Sequence, residues 1–290
     1  MPDKAVGYPG FVMVPSIDLN DGHSIPQLGF GVFQIEPGDT AEAVRRALEI
    51  GYRHIDTAQM YGNEAEVGEG IRDAGVPREE VFITSKLNNA HHEPDDARRE
   101  FETTLNELGT DYLDLFLIHW PLPTRFGGDY PATWTVLEEF KADGRAKSIG
   151  VSNFQVPHLE RLAAQTDVVP AVNQIELHPF LQNRSVKAWG ENHGIVTEAW
   201  SPIAQGAVLD DPTIGGIAAR LDRSPAQVTL RWHIQKGNVI FPKSVHPDRM
   251  KLNFEIFDFT LDGEEMTAIE GLERGEEGRT GPHPDTFDRV

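Results

Sequence analysis

The feature that most constrains the fold is an alternation of short apolar runs with longer amphipathic stretches along almost the whole chain. The apolar runs are rich in β-branched residues and predict strands, whereas the stretches between them have helical periodicity. Eight strands that alternate with eight helices indicate parallel pairing, because each helix returns the chain to the same end of the sheet. The predicted strands span residues 28–33, 53–55, 81–84, 113–118, 147–151, 171–174, 195–199 and 239–241.

A closed (β/α)₈ barrel, the TIM-barrel class of α/β fold, fits this alternation best in a chain of 290 residues. An open doubly wound sheet is the alternative. Its dinucleotide-binding turn needs three spaced glycines and a helix start, and Gly29-Phe30-Gly31 supplies neither the third glycine nor the helix. The predicted helices span residues 40–50, 63–74, 94–108, 132–142, 156–164, 185–192, 214–221 and 246–253.

Two segments, one at each end of the chain, fall outside the repeat. Residues 16–25 predict a β-hairpin around Asn20-Asp21-Gly22, which would cap the bottom. Residues 271–290 form a tail rich in Gly, Pro and charge, and Phe287 near its end indicates a C-terminal loop on the substrate side. Residues 1–15 are interpreted as an N-terminal extension, and without an internal linker residues 1–290 are predicted to form a single domain.

Composition narrows the range of partners. The chain has 26 basic and 46 acidic residues, a net charge of -20, which argues against binding to nucleic acid or anionic membranes. An anionic cofactor would therefore need a local basic patch. The absence of cysteine excludes disulfides and thiolate metal sites. With neither a signal peptide nor a run of about 18 apolar residues, the protein is expected in the cytoplasm, and nothing indicates more than a monomer.

Polar or aromatic side chains follow every predicted strand from the second onward. Active sites of barrel enzymes lie at the carboxyl ends of the strands. Neighbouring strands are about 4.8 Å apart, so Asp56, Lys86 and His119 should lie within reach of one another, and Tyr61 can fold back over them. The residues at these ends are Asp56 with Tyr61, Lys86, His119 with Trp120, Ser152 with Asn153, Gln174, Trp200 with Ser201, and Lys243 with Ser244.

The side chains of Asp56, Tyr61, Lys86 and His119 suit the reduction of a carbonyl group. A free tyrosine has a pKa of about 10, too high for easy proton donation at neutral pH. A lysine ammonium would lower that pKa, Asp56 would keep Lys86 charged, and neutral His119 would donate a hydrogen bond to a substrate oxygen. A buried Asp–Lys pair is often only structural, so the clustering of all four residues carries the prediction.

Other chemistries fit the residues less well. There is no cysteine nucleophile, and the histidines are scattered, so no metal site is expected and a metal-dependent barrel hydrolase is the weaker hypothesis. Glycoside hydrolysis would require Asp56 to act with Glu176 or Glu198. Glu198 is expected to lie too deep within the seventh strand for that role.

Seven motifs, in order along nearly the whole chain, resemble those of the aldo-keto reductase superfamily. They are most similar to its bacterial branch of 2,5-diketo-D-gluconate-reductase-like enzymes. The resemblance implies a catalytic tetrad of Asp56, Tyr61, Lys86 and His119, in which Tyr61 is the general acid. The motifs are GYRHIDTAQMYGNE (51–64), FITSKL (82–87), LIHWP (117–121), SIGVSNF (148–154), VNQIELHP (172–179), EAWSPIAQG (198–206) and FPKSVHPDRMKLNFEIFDF (241–259).

The resemblance also implies that the cofactor is NADPH rather than NADH. Two cations near one strand end would bind its 2′-phosphate, and they supply the basic patch that a strongly acidic chain needs. The implied cofactor residues are Ser152, Asn153 and Gln174 at the nicotinamide carboxamide, Trp200 on the nicotinamide ring, Ser201, Ile203 and Gln205 near the pyrophosphate, and Lys243, Ser244, Val245, Arg249 and Asn253 at the adenosine end.

The implied reaction is the reduction of aldehydes or ketones to alcohols, with dicarbonyls and diketo-sugar acids as candidate substrates. The expected pocket walls are Phe33, Met60, Trp120 and Phe287. Phe33 stands where many eukaryotic members have tryptophan, so the substrate preferences of those members do not transfer to this chain. Because potassium-channel β subunits resemble the same family, a cofactor-binding regulatory subunit with little turnover is the alternative function.

Overall fold

The computed structural model describes residues 14–290 and confirms the predicted barrel. Eight parallel strands follow one another around the sheet in the order of the chain. The first and last of them also meet, because Gly29 N donates to Ile240 O at 2.7 Å and Ile240 N donates to Gln27 O at 3.0 Å. The sheet therefore closes on itself. The predicted N-terminal extension lies outside the described residues, apart from its last two positions.

The barrel strands agree with the predicted ones in number and order. The first is shorter than predicted, because Leu28 joins the sheet only through an isolated bridge to Ile240. The strands are β1 (Ser16–Asp18), β2 (Ser24–Pro26), β3 (Phe30–Gly31), β4 (His54–Asp56), β5 (Phe82–Leu87), β6 (Leu113–Ile118), β7 (Ala146–Ser152), β8 (Val172–Glu176), β9 (Val196–Trp200) and β10 (Val239–Ile240).

Two helices of the described residues were not predicted from the sequence, namely α8 (Pro225–Gln235) and α10 (Gly263–Glu270). In α8, large apolar residues occupy every second position from 228 to 234, a spacing that is not typical of an amphipathic helix. The segment is helical because Ser224 and Gln227 form a capping box at its start. Most of its residues are buried on all sides of the helix, so its apolar residues need not form a single stripe. The other helices are α1 (Pro37–Ile50), α2 (Glu64–Asp73), α3 (Pro94–Leu108), α4 (Tyr130–Ala142), α5 (Val156–Gln165), α6 (Arg184–Asn192), α7 (Pro212–Leu221) and α9 (Pro247–Phe254). Across residues 14–290, no helix has both the length and the apolar character needed to cross a bilayer.

The predicted hairpin is present and closes the amino-terminal end of the barrel. Strands β1 and β2 pair antiparallel, and Ile25 of β2 is fully buried with Leu115 and Leu117 of β6. Asn20 Nδ2 donates to Pro170 O at 3.0 Å, which ties the turn of the hairpin to the loop before β8. The hairpin thus forms an apolar floor for the barrel interior.

Above this floor the barrel interior is polar. Successive strand residues point alternately towards the helices and into the barrel, and the inward positions near the carboxyl ends carry ionisable and amide groups. Buried groups of this kind need hydrogen-bond partners. Here Gln174 bonds to Asp56 and Glu198, and His54 lies 3.0 Å from the Thr84 hydroxyl. The buried polar residues of β4, β5, β8 and β9 include His54, Asp56, Thr84, Lys86, Gln174 and Glu198.

The C-terminal tail is irregular for most of its length and is attached to the barrel through Glu176. Thr280 donates its N–H and its hydroxyl to Glu176 Oε1, both at 2.6 Å, and Gly281 N donates to Oε2 at 3.2 Å. Burial alone would raise the pKa of Glu176, but hydrogen bonds from His178 and Thr280 outweigh it and hold the pKa below its usual value. A Cβ at Gly281 would collide with the Trp200 ring, so only glycine fits at this position of the tail.

Replacing Glu176 with glutamine should loosen the middle of the tail. One acceptor oxygen becomes an NH₂ group that faces other donors, and hydrogen bonds to charged groups contribute about 1.5–3 kcal/mol. The amides of Thr280 and Gly281 should therefore exchange with deuterium about 10-fold faster or more. Glu277→Gln, at an exposed position of the same tail, should leave the rates unchanged. Rates within about twofold of the wild type in Glu176→Gln would show that the carboxylate does not hold the tail.

Candidate active site

Three adjacent strands and one turn bring four ionisable side chains together. Asp56 ends β4, Lys86 lies in β5, and His119 follows directly after β6. Tyr61 ends a short 3₁₀ helix after β4, which turns the chain back over the strand ends. The structure thus places the four residues that the sequence analysis singled out in one cluster at the carboxyl end of the barrel.

Lys86 is the centre of this cluster. Its Nζ lies 2.7 Å from Asp56 Oδ1, 2.8 Å from Thr57 O and 3.2 Å from Tyr61 Oη. An ammonium group has three protons to donate, and these contacts use all of them. Burial alone would lower the pKa of Lys86, but the charge of Asp56 and the contact with Tyr61 outweigh burial and raise it. Lys86 is therefore a charged, fully oriented donor.

The protonation of Tyr61 differs from the sequence-based expectation. We expected Lys86 to lower its pKa, whereas burial raises the pKa above its usual value and Lys86 opposes this only in part. The physical reason is that loss of hydration disfavours the phenolate more than one cation, already paired with Asp56, can favour it. Tyr61 is therefore neutral at pH 7 and carries the proton that a general acid must donate.

His119 is neutral as well. Burial, together with the charge of Lys86, lowers its pKa well below the usual value. Its ring stands edge-on to that of Tyr61, with centroids 5.8 Å apart, and Asn153 Nδ2 donates to its backbone oxygen at 2.9 Å. A neutral imidazole beside a phenol can offer a second hydrogen bond to one carbonyl oxygen.

The four residues expected at the nicotinamide lie next to this cluster. Trp200 Nε1 donates to Asn153 Oδ1 at 2.8 Å, and Ser152 Oγ donates to Gln174 O at 2.8 Å. Gln174 Nε2 donates to Asp56 Oδ2 at 2.8 Å. Hydrogen bonds therefore connect this group of residues to the Asp56–Lys86 pair.

The loop after β9 carries three more of the expected cofactor residues. Ser201 and Ile203 are partly exposed, and Gln205 is exposed. Ser201 and Gln205 have φ angles of 49° and 54°, a left-handed conformation that residues other than glycine rarely adopt and that recurs in binding loops. Gln205 Nε2 lies 3.5 Å from Thr280 Oγ1, so this loop reaches the C-terminal tail.

The residues expected at the adenosine end lie after β10 and on α9. Ser244 is buried and Asn253 is partly exposed, whereas Lys243, Val245 and Arg249 are exposed. In the part of the chain that the structure describes, Lys243 and Arg249 form no ion pair, whereas Lys251 of α9 lies 3.8 Å from Glu255. On a surface this acidic, two cations without carboxylate partners are a donor set that fits a phosphate group.

The four expected substrate residues form two groups. Phe33 is 55% exposed, and its ring centroid lies 4.9 Å from that of Tyr61. Met60 is partly exposed in the turn that carries Tyr61. Trp120 is buried against Phe287 of the tail, with ring centroids 4.3 Å apart. The exposed face of Phe33 beside Tyr61 offers apolar contact for a ligand.

Sequence reasoning missed two contributors to this site. Thr57 supplies a backbone oxygen to Lys86, and its only signal was the position directly after Asp56. Glu198 was set aside as too deep in its strand. It is fully buried, but its Oε2 accepts a hydrogen bond from Gln174 Nε2 at 2.9 Å. The register of β8 and β9, which pairs these two residues, could not be read from either strand alone.

A sequence model of the aldo/keto reductase family matches residues 27–274, which is most of the chain. The chain belongs to the aldo/keto reductase family. The resemblance found in the motifs is thereby confirmed. Together with the relatives and solved structures described next, the family match shows that this aldo/keto reductase is an NADP-dependent oxidoreductase that acts on carbonyl groups.

Similar proteins match this aldo/keto reductase over almost their whole length. An aldo-keto reductase of Mycolicibacterium smegmatis is 50% identical over 275 residues, 95% of this chain and 98% of the relative. A Yersinia pestis protein named methylglyoxal reductase DkgA is 48% identical over 278 residues, 95% of this chain and 98% of the relative. The crystal structure of a Gox0644 mutant in complex with NADPH has 46% identity and a TM-score of 0.91, and covers 95% of this chain and 99% of its own.

Proposed function

We propose that this aldo/keto reductase uses NADPH to reduce small aldehydes and ketones, including dicarbonyls, to alcohols, and that Tyr61 donates the proton. The observation that carries the proposal is the position of Lys86 Nζ, within hydrogen-bond distance of both Asp56 and Tyr61 in a buried site. A neutral donor is thus held beside a fixed positive charge that stabilises the anion it leaves behind.

The roles of the four residues follow from this geometry. NADPH, when bound, supplies the hydride. His119 and Tyr61 donate hydrogen bonds to the carbonyl oxygen, which polarises the carbonyl bond. As negative charge develops on that oxygen, Tyr61 transfers its proton, and the Lys86 ammonium at 3.2 Å stabilises the phenolate that forms. Asp56 keeps Lys86 charged and oriented throughout.

The residues present fit NADPH at both of its ends. The amides of Asn153 and Gln174 can pair with a carboxamide, and the Trp200 indole can stack on a nicotinamide ring. At the other end, Lys243 and Arg249 are exposed cations that suit a 2′-phosphate. The NADPH complex of the Gox0644 mutant supports the same cofactor for this chain.

Small neutral dicarbonyls are the substrate class that we favour. The proposed pocket residues, Phe33, Met60, Trp120 and Phe287, carry no charge that would bind a carboxylate. The name of the Yersinia pestis relative, methylglyoxal reductase, supports a substrate of this size. A diketo-sugar acid would need a cation that is free to bind its carboxylate. These four residues supply none, and the three protons of Lys86 beside Tyr61 are already used within the protein.

Initial rates with a panel of carbonyl compounds test the proposed function. The panel contains simple aldehydes, methylglyoxal and a diketo-sugar acid, each with NADPH and with NADH. We expect turnover with NADPH and a higher kcat/KM for methylglyoxal than for the acid. Tight NADPH binding without turnover of any carbonyl would contradict the proposal and favour a regulatory subunit.

The residues proposed for this site all lie on one chain. In keeping with this, we propose that the enzyme acts as a monomer. We also propose that it works in the cytoplasm and acts on small molecules rather than on nucleic acid or membranes, in keeping with its net charge of -20.

Replacing Lys243 with alanine should raise the KM for NADPH about 10-fold and the KM for NADH less than about twofold. Only NADPH carries the 2′-phosphate, and one charge-assisted hydrogen bond to it is worth about 1.5 kcal/mol or more. Lys251→Ala is the matched control, because Lys251 is exposed on α9 and lies 3.8 Å from Glu255. It should change neither KM. An equal effect of Lys243→Ala on both cofactors would overturn the 2′-phosphate assignment.

A further inference from the structure

The side-chain amide of Gln174 is held by two buried carboxyl groups, and only one of them belongs to the catalytic tetrad. Gln174 Nε2 donates to Asp56 Oδ2 at 2.8 Å and to Glu198 Oε2 at 2.9 Å. The second contact is built into the sheet, because the register of β8 and β9 places Gln174 opposite Glu198. Both N–H protons of the amide are used in this way.

These two acceptors determine which way the amide points. The Asp56 carboxylate, paired with Lys86, can only accept from an N–H group, and the carbonyl oxygen of a protonated Glu198 accepts as well. The NH₂ group therefore faces both residues and the oxygen faces away from them. Within residues 14–290, Gln174 Oε1 accepts no hydrogen bond. It is not one of the fully buried side-chain atoms that lack a partner, so it keeps some access to solvent. Gln174 therefore presents an open acceptor oxygen beside the tetrad.

Glu198 occupies a position that a carboxyl group does not favour. It is fully buried, and burial raises its pKa to about 8, so it is mostly protonated at neutral pH while its other oxygen still accepts from Gln174. Across the described residues its Oε1 has no hydrogen-bond partner, and His54 Nε2 is 3.9 Å away. A buried acid held by one hydrogen bond weakens folding compared with an apolar residue of the same size, which argues for a function.

We propose that Glu198 is a positioning residue for the cofactor. By holding Gln174 Nε2, it leaves Gln174 Oε1 as the acceptor for the NH₂ group of the nicotinamide carboxamide. With Asp56 as its sole anchor, the amide could turn about its terminal torsion and present the NH₂ group instead of the oxygen. Gln174 Nε2 also donates to Asp56, which orients Lys86, so Gln174 connects the cofactor to the tetrad. This inference rests on the proposed function.

The test compares NADPH with its analogue in which an acetyl group replaces the carboxamide, because the two differ only where the NH₂ group is lost. Glu198→Met removes the acceptor at similar volume. We expect it to raise the Kd of NADPH, measured by quenching of tryptophan fluorescence, about 3- to 10-fold, the range of one neutral hydrogen bond. The Kd of the acetyl analogue and that of 2′,5′-ADP should change less than about twofold. Glu198→Gln keeps an acceptor oxygen and should bind NADPH like the wild type.

Glu64→Met is the matched control, because Glu64 is another buried carboxyl group but is bonded to the hydroxyls of Ser85 and Thr104. It should leave the ratio of the NADPH and analogue Kd values unchanged. Where Glu198→Met does not fold, Glu198→Ala is judged by the same ratio.

Two results would overturn this role of Glu198. One is an equal loss of affinity for NADPH and for the acetyl analogue in Glu198→Met. The other is a Glu198→Gln enzyme that binds NADPH as weakly as Glu198→Met. Failure of the proposed function has a different signature. In that case the wild-type enzyme binds no NADPH or turns over no carbonyl, whereas failure of the present inference leaves wild-type binding and turnover intact.

Discussion

Replacing Tyr61 with phenylalanine should lower kcat for carbonyl reduction by about 100- to 10,000-fold, the range that a general acid contributes. The substitution removes one hydroxyl group and keeps the ring that packs against Phe33 and His119. Lys86 retains its contact with Asp56, so the site should stay folded. The Kd of NADPH, measured by fluorescence titration, should change less than about twofold.

The pH profile of the wild-type enzyme belongs to the same prediction. Burial raises the pKa of Tyr61, so its proton is present throughout the neutral range. The kcat for reduction should stay level from about pH 6 to 9 and fall only above the usual tyrosine pKa of about 10, where the donor loses its proton. A decline centred near pH 7 would indicate a different donor.

Tyr112→Phe is the control for Tyr61→Phe. Tyr112 precedes β6 at the opposite end of the barrel, where its ring lies 4.1 Å from the guanidinium carbon of Arg78. Loss of its hydroxyl should leave kcat within about twofold of the wild type. A Tyr61→Phe enzyme with wild-type kcat would remove Tyr61 from the proton-transfer step.

Replacing Lys86 with methionine should reduce both stability and rate. The substitution leaves Asp56 buried without its partner, and breaking a buried ion pair in this way costs about 3–5 kcal/mol. Calorimetry should show a thermal midpoint lower by roughly 6 °C or more. The kcat should fall at least about 100-fold, because no cation remains to stabilise the Tyr61 phenolate.

The stability deficit of Lys86→Met should depend on pH. Without Lys86, burial raises the pKa of Asp56 in the folded state above its unfolded value, so the folded variant binds a proton more readily than the unfolded chain. The free energy of unfolding of the variant then decreases as pH rises from the unfolded pKa of Asp56 to its raised folded pKa. The gap to the wild type should therefore be smaller at pH 5 than at pH 8.

Two further variants separate the effects on stability and rate. Lys236→Met breaks a partly exposed ion pair with Glu270, whose side chains are 33% and 34% exposed, and should cost at most about 1 kcal/mol. The double variant Asp56→Asn with Lys86→Met should recover most of the stability and none of the activity. A small deficit in Lys86→Met, or an active double variant, would show that the buried pair is not essential.

The barrel and the clustering of Asp56, Tyr61, Lys86 and His119 could be predicted from the sequence because both depend on position along the chain. Alternating strands and helices leave few arrangements at this length, and parallel strands gather their carboxyl ends at one face. Asp56, Lys86 and His119 could therefore be placed together from strand order alone. Helix α8 escaped prediction because its apolar residues repeat at every second position, and its helical form depends on burial by the rest of the barrel.

The features that could not be predicted from the sequence depend on how deeply a side chain is buried and on which residues of different segments face each other. The pKa of Tyr61 is set by the balance between burial and one paired cation, and that balance cannot be known before the pocket is built. The contact of Glu198 with Gln174 requires the register of two strands separated by a helix. The hold of Glu176 on Thr280 joins a strand end to a tail with no regular structure, and no periodic pattern predicts such a contact.

The way the barrel closes also has a consequence for synthesis on the ribosome. The hydrogen bonds that complete the sheet join Gln27 and Gly29 to Ile240, so most of the chain must emerge before closure. The strands that carry Asp56 and Lys86 are made early, whereas Lys243 and Arg249 come after the last strand. A nascent chain would thus contain Tyr61, the proposed proton donor, long before it contained the residues proposed to bind the 2′-phosphate. Reductase activity would begin only late in translation.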